Sequence, residues 1–117
     1  MDWISNKCEN KLFWHLTTKN TIEKIKLAGL KKSSMGQNGD GVYCIFAEDY
    51  DVLDSLVELF EQRGLNIDDL IIIEFNYSGD YEFCEKKQLI YSNEGWIVIK
   101  ENIPSHQINK VIELLNI

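Results

Sequence analysis

The sequence predicts one α+β domain, with two helices in its N-terminal half and mainly strands in its C-terminal half. The 117 residues, 44% of them hydrophobic, suit a single hydrophobic core spanning residues 1–117. Proline occurs once, at Pro104, and no Gly/Ser-rich stretch, like-charge block or internal repeat interrupts the pattern. The chain is therefore expected to contain no linker.

The first two predicted elements are a strand and a helix. Residues 12–16 form a short, aromatic apolar run that is typical of a buried strand. Asn20, followed three residues later by Glu23, has the pattern of a helix cap, and apolar residues then recur on one helical face. Gly29 is suited to end this helix because glycine adopts positive φ without steric cost.

A glycine-containing loop, a second strand and a second helix are predicted next. Residues 31–41 are polar and contain three glycines, and residues 41–46 have the composition of a buried strand. Asp49 or Asp51 is suited to cap the second helix, and Gly64 is suited to end it. Four apolar residues of this helix repeat at i, i+3, i+4 and i+7: Leu53, Leu56, Val57 and Phe60.

The C-terminal half is predicted to consist mainly of strands. The strand segments are residues 70–77, 81–91, 96–99 and 108–117. Residues 78–80, Ser-Gly-Asp, have the composition of a turn between the first two segments. The last segment is also compatible with a helix by propensity, so both alternatives stay open for it.

Charge and cysteine content exclude several classes of function. The chain has 12 basic and 19 acidic residues, a formal charge of -7 and a single arginine, so no nucleic-acid partner is expected. Its three cysteines include no Cys-x-x-Cys pair, so neither a disulfide framework nor a metal site is predicted. No apolar run approaches the roughly 18 residues of a membrane span, and no secretory leader pattern is visible. We therefore expect a cytoplasmic protein without a membrane partner.

Three residues are candidates for a functional site. His15 lies inside the first apolar strand, Tyr43 follows the glycine-containing loop, and Glu94 precedes the strand at residues 96–99. Each has a structural explanation when taken singly: a hydrogen-bonded histidine, a core tyrosine and a solvated turn glutamate. Their order and their sequence surroundings favour a shared site.

These surroundings resemble the ADP-ribosyltransferase superfamily, in its His-Tyr-Glu class of poly(ADP-ribose) polymerase type. His15-Leu16-Thr17 leads into a helix closing on Ala28-Gly29-Leu30, and Gly39-Asp40-Gly41-Val42-Tyr43 fits the Gly-x-Gly-x-Tyr pattern of that class. Residues 92–99, Ser-Asn-Glu-Gly-Trp-Ile-Val-Ile, resemble its glutamate and following strand. The resemblance extends over residues 12–115 and rests on few fixed letters. It implies split antiparallel sheets with two helices in the N-terminal half.

The resemblance implies that NAD+ is the substrate and that no metal takes part. His15 would hydrogen-bond the adenosine-side ribose, and Tyr43 would stack on the nicotinamide ring. Glu94 would be the catalytic residue, stabilising the oxocarbenium-like charge that develops as nicotinamide leaves.

Further cofactor-binding residues are implied around the histidine and the loop. Leu16 and Thr17 follow the histidine, and the backbone amide and carbonyl of Leu16 would hold the carboxamide, although the family commonly has a small residue at that position. Gly41 belongs to the loop that would approach the pyrophosphate, with Lys31 and Lys32 supplying charge.

The implied activity is that of a mono-ADP-ribosyltransferase, which cleaves NAD+ and transfers ADP-ribose to a protein target. The acidic composition favours a target with a basic surface. The single arginine, Arg63, argues against the related RNA 2'-phosphotransferases, which must hold a phosphorylated RNA end. The alternative is a catalytically inactive transferase-like binding module, either a nucleotide sponge or a protein inhibitor such as a phage-encoded anti-defence factor. A structural α+β domain of unrelated function is the third alternative.

Overall fold

The structure, a computed structural model, describes residues 2–34, 36, 38–85 and 94–117. The described elements follow in the order β1 (Trp3–Thr18), α1 (Ile22–Ala28), β2 (Val42–Phe46), α2 (Tyr50–Gln62), β3 (Leu70–Cys84), β4 (Ile97–Ile99) and β5 (Ile108–Glu113). All five strand pairings among them are antiparallel. The prediction of an α+β class with two helices is confirmed.

The five strands form one sheet in the order β1-β2-β4-β3-β5, and β1 also pairs with β3. The resemblance implies split sheets, whereas the structure has one sheet. The difference arises because β3 changes neighbours along its length: residues 71–75 pair with β5, whereas Glu82 and Phe83 pair with β4. The long ladder between β1 and β3 joins these two parts into a single hydrogen-bonded sheet.

Both long strands extend beyond their predicted limits. β1 begins at Trp3, because its polar first half pairs with residues 79–84 of β3. The predicted turn at residues 78–80 is wrong: Gly79, at φ 140°, pairs with Cys8 inside β3, next to a register shift between Cys8 and Lys11. The predicted strand at residues 81–91 is confirmed up to Cys84, and its last six residues lie outside the described ones.

The helix ends are partly as predicted. The side chain of Asp49 caps α2 by accepting a hydrogen bond from the Val52 N–H, and Gly64 follows the helix at φ 88°. The predicted cap of α1 at Asn20 is wrong, because Thr21 occupies the N-cap position without a side-chain cap bond. A 3-10 turn over Lys19–Thr21 precedes this helix and displaces its start. No helix in the described part of the chain has the length and apolar character needed to cross a membrane.

The C-terminal segment combines the two alternatives left open by the sequence. β5 ends at Glu113, and a 3-10 turn covers Leu114–Asn116. The strand continues only while it pairs with β3, up to the partner of Ile71. Leu114 then turns back into the core, where it is buried.

Two apolar clusters lie on opposite faces of the sheet. Phe13, Ile73 and Phe75 belong to the cluster beside α1, whereas Trp14 and Leu16 belong to the cluster beside α2. Residues 70–75 are buried without interruption because β3 carries a cluster on each face. This arrangement fixes the end of β1 between β2 and β3, where the candidate histidine lies.

Candidate functional site

A cavity of about 310 Å³ lies among β1, β2, the glycine-containing loop and α2. Four of the predicted site residues line it: His15, Leu16, Gly41 and Tyr43. Its volume is at the lower end of the range for small-molecule sites. The fold therefore brings together residues of two motifs that are separate in the sequence.

The His15 side chain is fixed by a hydrogen bond to the backbone. Its Nδ1 atom lies 2.6 Å from the carbonyl oxygen of Tyr43. Because a carbonyl oxygen only accepts, Nδ1 carries the proton, and Nε2 of the neutral ring is left as an acceptor. Burial lowers the pKa of His15, and the hydrogen bond to Tyr43 opposes this effect in part. The ring is therefore neutral at neutral pH.

The Tyr43 side chain is held by the glycine-containing loop. Its hydroxyl donates to the Gly39 carbonyl at 2.6 Å and accepts from the Asn38 N–H at 2.8 Å. The Trp3 ring meets the Tyr43 ring edge-on, with 6.3 Å between centroids. Burial raises the pKa of Tyr43, so the hydroxyl stays protonated at neutral pH.

The Gly-x-Gly-x-Tyr pattern has a packing explanation in this fold. The Ser33 and Gly41 backbones exchange hydrogen bonds of 2.8 and 3.0 Å, which close the base of the loop. A Cβ on Gly41 would lie 2.2 Å from Cγ2 of Val98, so only glycine fits against β4 there. Gly39 has φ 80°, in the region that favours glycine. The pattern thus fixes the loop and, through it, the position of the tyrosine.

Sequence reasoning missed two residues that line the cavity, Arg63 and Trp96. A signal for Arg63 was present, because Leu56, Phe60 and Arg63 share one helical face by their spacing, and all three line the cavity. Trp96 had only the signal of an aromatic residue at a strand entry. The cavity therefore has an apolar and aromatic wall with an arginine beside it.

Glu94 is an exposed residue that does not line the cavity. The segment that carries it is fixed, because the Gly95 N–H donates to the Cys84 carbonyl at 2.9 Å. A Cβ on Gly95 would lie 2.4 Å from the Val52 side chain of α2. Trp96, two residues after Glu94, lines the cavity. Ser92 and Asn93 of the predicted motif lie outside the described residues.

Thr17 and Lys32 also lie outside the cavity lining. The Thr17 hydroxyl is 3.3 Å from that of Thr21, and the Lys32 N–H donates to Oδ1 of Asn102 at 2.8 Å. Lys31, the neighbour of Lys32, lines the cavity instead.

A buried carboxylate outside the cavity was also missed. Glu74 is 5% exposed, and it accepts a hydrogen bond of 2.9 Å from Trp14 Nε1 and another from the Asn109 amide. Lys110 Nζ lies 3.9 Å from the same carboxylate. The signal was a single acidic residue within the apolar run 70–75. Because its oxygens are satisfied inside the sheet, Glu74 has a structural role.

The described part of the chain has no group of three side chains able to hold a metal ion.

A larger and more open groove, of about 700 Å³, runs along the paired strands β1 and β3 beside Lys7, Tyr77 and Glu101. It contains none of the predicted site residues that the structure describes. The Tyr77 hydroxyl lies 2.7 Å from the Asp80 carbonyl and 2.8 Å from a Glu101 carboxylate oxygen. The Glu101 contact joins β3 to the segment after β4. The smaller cavity remains the candidate site.

Comparisons with known proteins give no match for this chain, whether with family models, curated proteins or solved structures.

Proposed function

We propose that the cavity binds NAD+ and that the protein is a mono-ADP-ribosyltransferase of the His-Tyr-Glu type. One observation carries the proposal: His15 and Tyr43, 28 residues apart in the chain, line one cavity and share a 2.6 Å hydrogen bond. They are two of the cofactor-binding residues that the resemblance implies.

The chemistry of both residues suits a dinucleotide. Neutral His15 offers Nε2 as an acceptor, which a ribose hydroxyl can donate to. Tyr43 and Trp96 supply aromatic rings at the cavity, and a nicotinamide ring binds well against such surfaces. Leu16 lines the same cavity, and its backbone is the predicted partner of the carboxamide.

Glu94 is the proposed catalytic residue. In the reaction, the bond between C1' of the ribose and the nicotinamide nitrogen breaks, and its electron pair leaves with nicotinamide. A nucleophile of the target then bonds to C1' and loses its proton. A carboxylate beside C1' stabilises the positive charge that develops, which lowers the barrier. The two-residue separation between Glu94 and the cavity-lining Trp96 supports this role.

The proposed acceptor is a protein with a basic face. The chain has a formal charge of -7, so association with a basic surface is favoured by electrostatic steering.

The decisive experiment measures nicotinamide release from NAD+ by the purified chain and by Glu94→Gln. Loss of the carboxylate is expected to reduce release by about 100-fold or more, as for other groups that stabilise transition-state charge. Glu58→Gln is the matched control, because Glu58 is exposed on α2 and lines a different surface depression. Thermal denaturation shows whether each variant is folded. Turnover by Glu94→Gln at the wild-type rate would remove Glu94 from the mechanism.

A second candidate function is the inactive binding module. The observation that favours it is the exposed position of Glu94, outside the cavity lining. Calorimetry separates the two functions: saturable NAD+ binding without nicotinamide release supports a nucleotide sponge. A wild-type chain that does not bind NAD+ contradicts both the enzyme and the sponge.

A further inference from the structure

The cavity is positively charged, although the protein is acidic. The chain contains 19 acidic residues, all within the described ranges, and none of them lines the cavity. Of the basic residues that the structure describes, Lys31 and Arg63 do line it. Arg63 is also the single arginine of the sequence. A cavity that excludes carboxylates and gathers two cations favours an anionic ligand.

Neither cation is neutralised by the described part of the chain. The ion pairs found there involve other lysines: Lys7 with Asp80, Lys100 with Glu82 and Lys110 with Glu74. Lys31 and Arg63 are exposed while lining the cavity, which places them at its rim. Their positive charges are therefore available to a ligand that enters from solvent.

The position of Arg63 is set by the end of α2. Its backbone N–H donates to the carbonyls of Leu59 and Phe60, at 3.2 and 3.1 Å, and Gly64 then turns the chain away at φ 88°. Leu59 and Phe60 line the cavity as well. The C-terminal end of a helix repels anions, and a cation there offsets this effect. These bonds fix the backbone of Arg63 beside the apolar wall of the cavity. The Arg63 side chain supplies a positive charge next to that wall.

We propose that Arg63, together with Lys31, binds phosphate groups of the nucleotide, so that the site selects phosphorylated ligands over nucleosides. An arginine presents a planar pair of N–H donors that matches phosphate oxygens, and Lys31 adds a second charge. This assignment replaces the predicted contact from Lys32. The identification of the ligand as NAD+ rests on the proposed function, whereas the anion site rests on Arg63 and Lys31 alone.

The test is calorimetric titration of the full chain with NAD+, ADP-ribose, nicotinamide riboside and inorganic pyrophosphate. Wild type is expected to bind NAD+ more tightly than the riboside. Arg63→Gln is expected to weaken NAD+ and ADP-ribose binding by about tenfold or more, since hydrogen bonds to charged groups are among the strongest. Its affinity for the riboside is expected to stay unchanged. Lys31→Gln should show the same pattern with a smaller loss.

Two controls isolate the charge effect. Lys26→Gln removes a cation from an exposed position of α1 outside the cavity, and it is expected to bind as wild type. Raising the salt concentration is expected to weaken NAD+ binding by wild type more than by Arg63→Gln, because salt screens exposed charges.

The outcomes separate this inference from the proposed function. Equal NAD+ affinities of wild type and Arg63→Gln would overturn the anion site and leave NAD+ binding intact. Binding of ADP-ribose or pyrophosphate that depends on Arg63, without any binding of NAD+, would overturn the proposed function and support the anion site. If wild type binds none of the four ligands, both are wrong.

Discussion

The Tyr43 ring lies in the space that a side chain on Gly36 would need. A Cβ on Gly36 would lie 1.9 Å from the ring, closer than any real Cβ contact. The hydroxyl of the same ring is bonded to the Gly39 carbonyl and the Asn38 N–H. The loop and the tyrosine therefore form one unit, and that unit shapes one wall of the cavity.

Gly36→Ala is expected to displace the Tyr43 ring and weaken NAD+ binding. A loss of about three- to tenfold in affinity corresponds to one aromatic contact. The free energy of unfolding should change little, because residues 31–34, 39 and 40 of this loop are exposed. Calorimetry measures the first effect and urea denaturation the second. Ser34→Ala, an exposed change in the same loop, is the control. Unchanged affinity in Gly36→Ala would show that the ring does not contact the ligand.

The lowered pKa of His15 predicts how stability depends on pH. Above the ordinary pKa of 6.5, the ring is neutral in both the folded and the unfolded chain. The contribution of the neutral His15 ring to the free energy of unfolding is then at its largest. Below 6.5 the unfolded chain takes up a proton first, so this contribution is lost as the pH falls towards the folded pKa. Burial is the main cause of the shift, with the Tyr43 hydrogen bond opposing it.

Urea denaturation of wild type and His15→Gln at pH 8, 6.5 and 5.5 measures this effect. The advantage of wild type over His15→Gln is expected to be largest at pH 8 and to shrink at pH 5.5. NAD+ binding by wild type should persist where the folded ring is still neutral and fall only at lower pH, near the lowered folded pKa, because a protonated Nε2 no longer accepts a hydrogen bond. An advantage that is constant with pH would contradict a buried neutral ring.

Removal of the Glu74 carboxylate is expected to destabilise the sheet. Glu74→Ala leaves the buried Trp14 indole N–H and the Asn109 amide without their acceptor, at a cost of about 3 kcal/mol. Glu74→Gln should lower the free energy of unfolding by less, because its amide oxygen still accepts a hydrogen bond from Trp14. Urea denaturation followed by tryptophan fluorescence gives both values. Glu113→Gln, at an exposed position of β5, should stay within about 0.5 kcal/mol of wild type. A wild-type stability for Glu74→Ala would show that this network contributes nothing.

Two glycines with similar φ angles differ in what an added Cβ would meet. A Cβ on Gly64, at φ 88°, would have no described atom within 4 Å, whereas a Cβ on Gly29, at φ 76°, would lie 2.0 Å from the Ile103 carbonyl oxygen. Gly64→Ala is expected to cost about 1 kcal/mol from the φ angle alone. Gly29→Ala should cost about 1–3 kcal/mol more, because the backbone at Ile103 must move and because Gly29, at ψ -168°, lies in a region essentially restricted to glycine. Thermal denaturation compares the two, and equal losses would contradict the close packing of α1 against residues 103–105.

Much of the fold followed from local patterns. The face of α2 that carries Leu53 and Val57 and the glycines that end both helices were predictable because helix signals act within a few residues. Residues 78–80 have the composition of a turn, but the prediction of a turn is wrong because their backbone pairs with β1. The partner of Gly79 is Cys8, about 70 residues away in the chain. Sequence patterns that act over a few residues do not indicate a pairing between strands so far apart.

For the candidate site, the sequence singled out His15 and Tyr43, and the resemblance carried by their short motifs implied Leu16 and Gly41 as well. Only the tertiary structure decided that they line one cavity, and that Arg63 and Trp96 join them while Lys32 does not. The physical reason is that a cavity is formed by elements distant in sequence, so its charge depends on how β1, β2 and α2 pack. The acidic composition argued against a nucleic-acid partner, whereas the packing brings two cations, Lys31 and Arg63, to the candidate cavity.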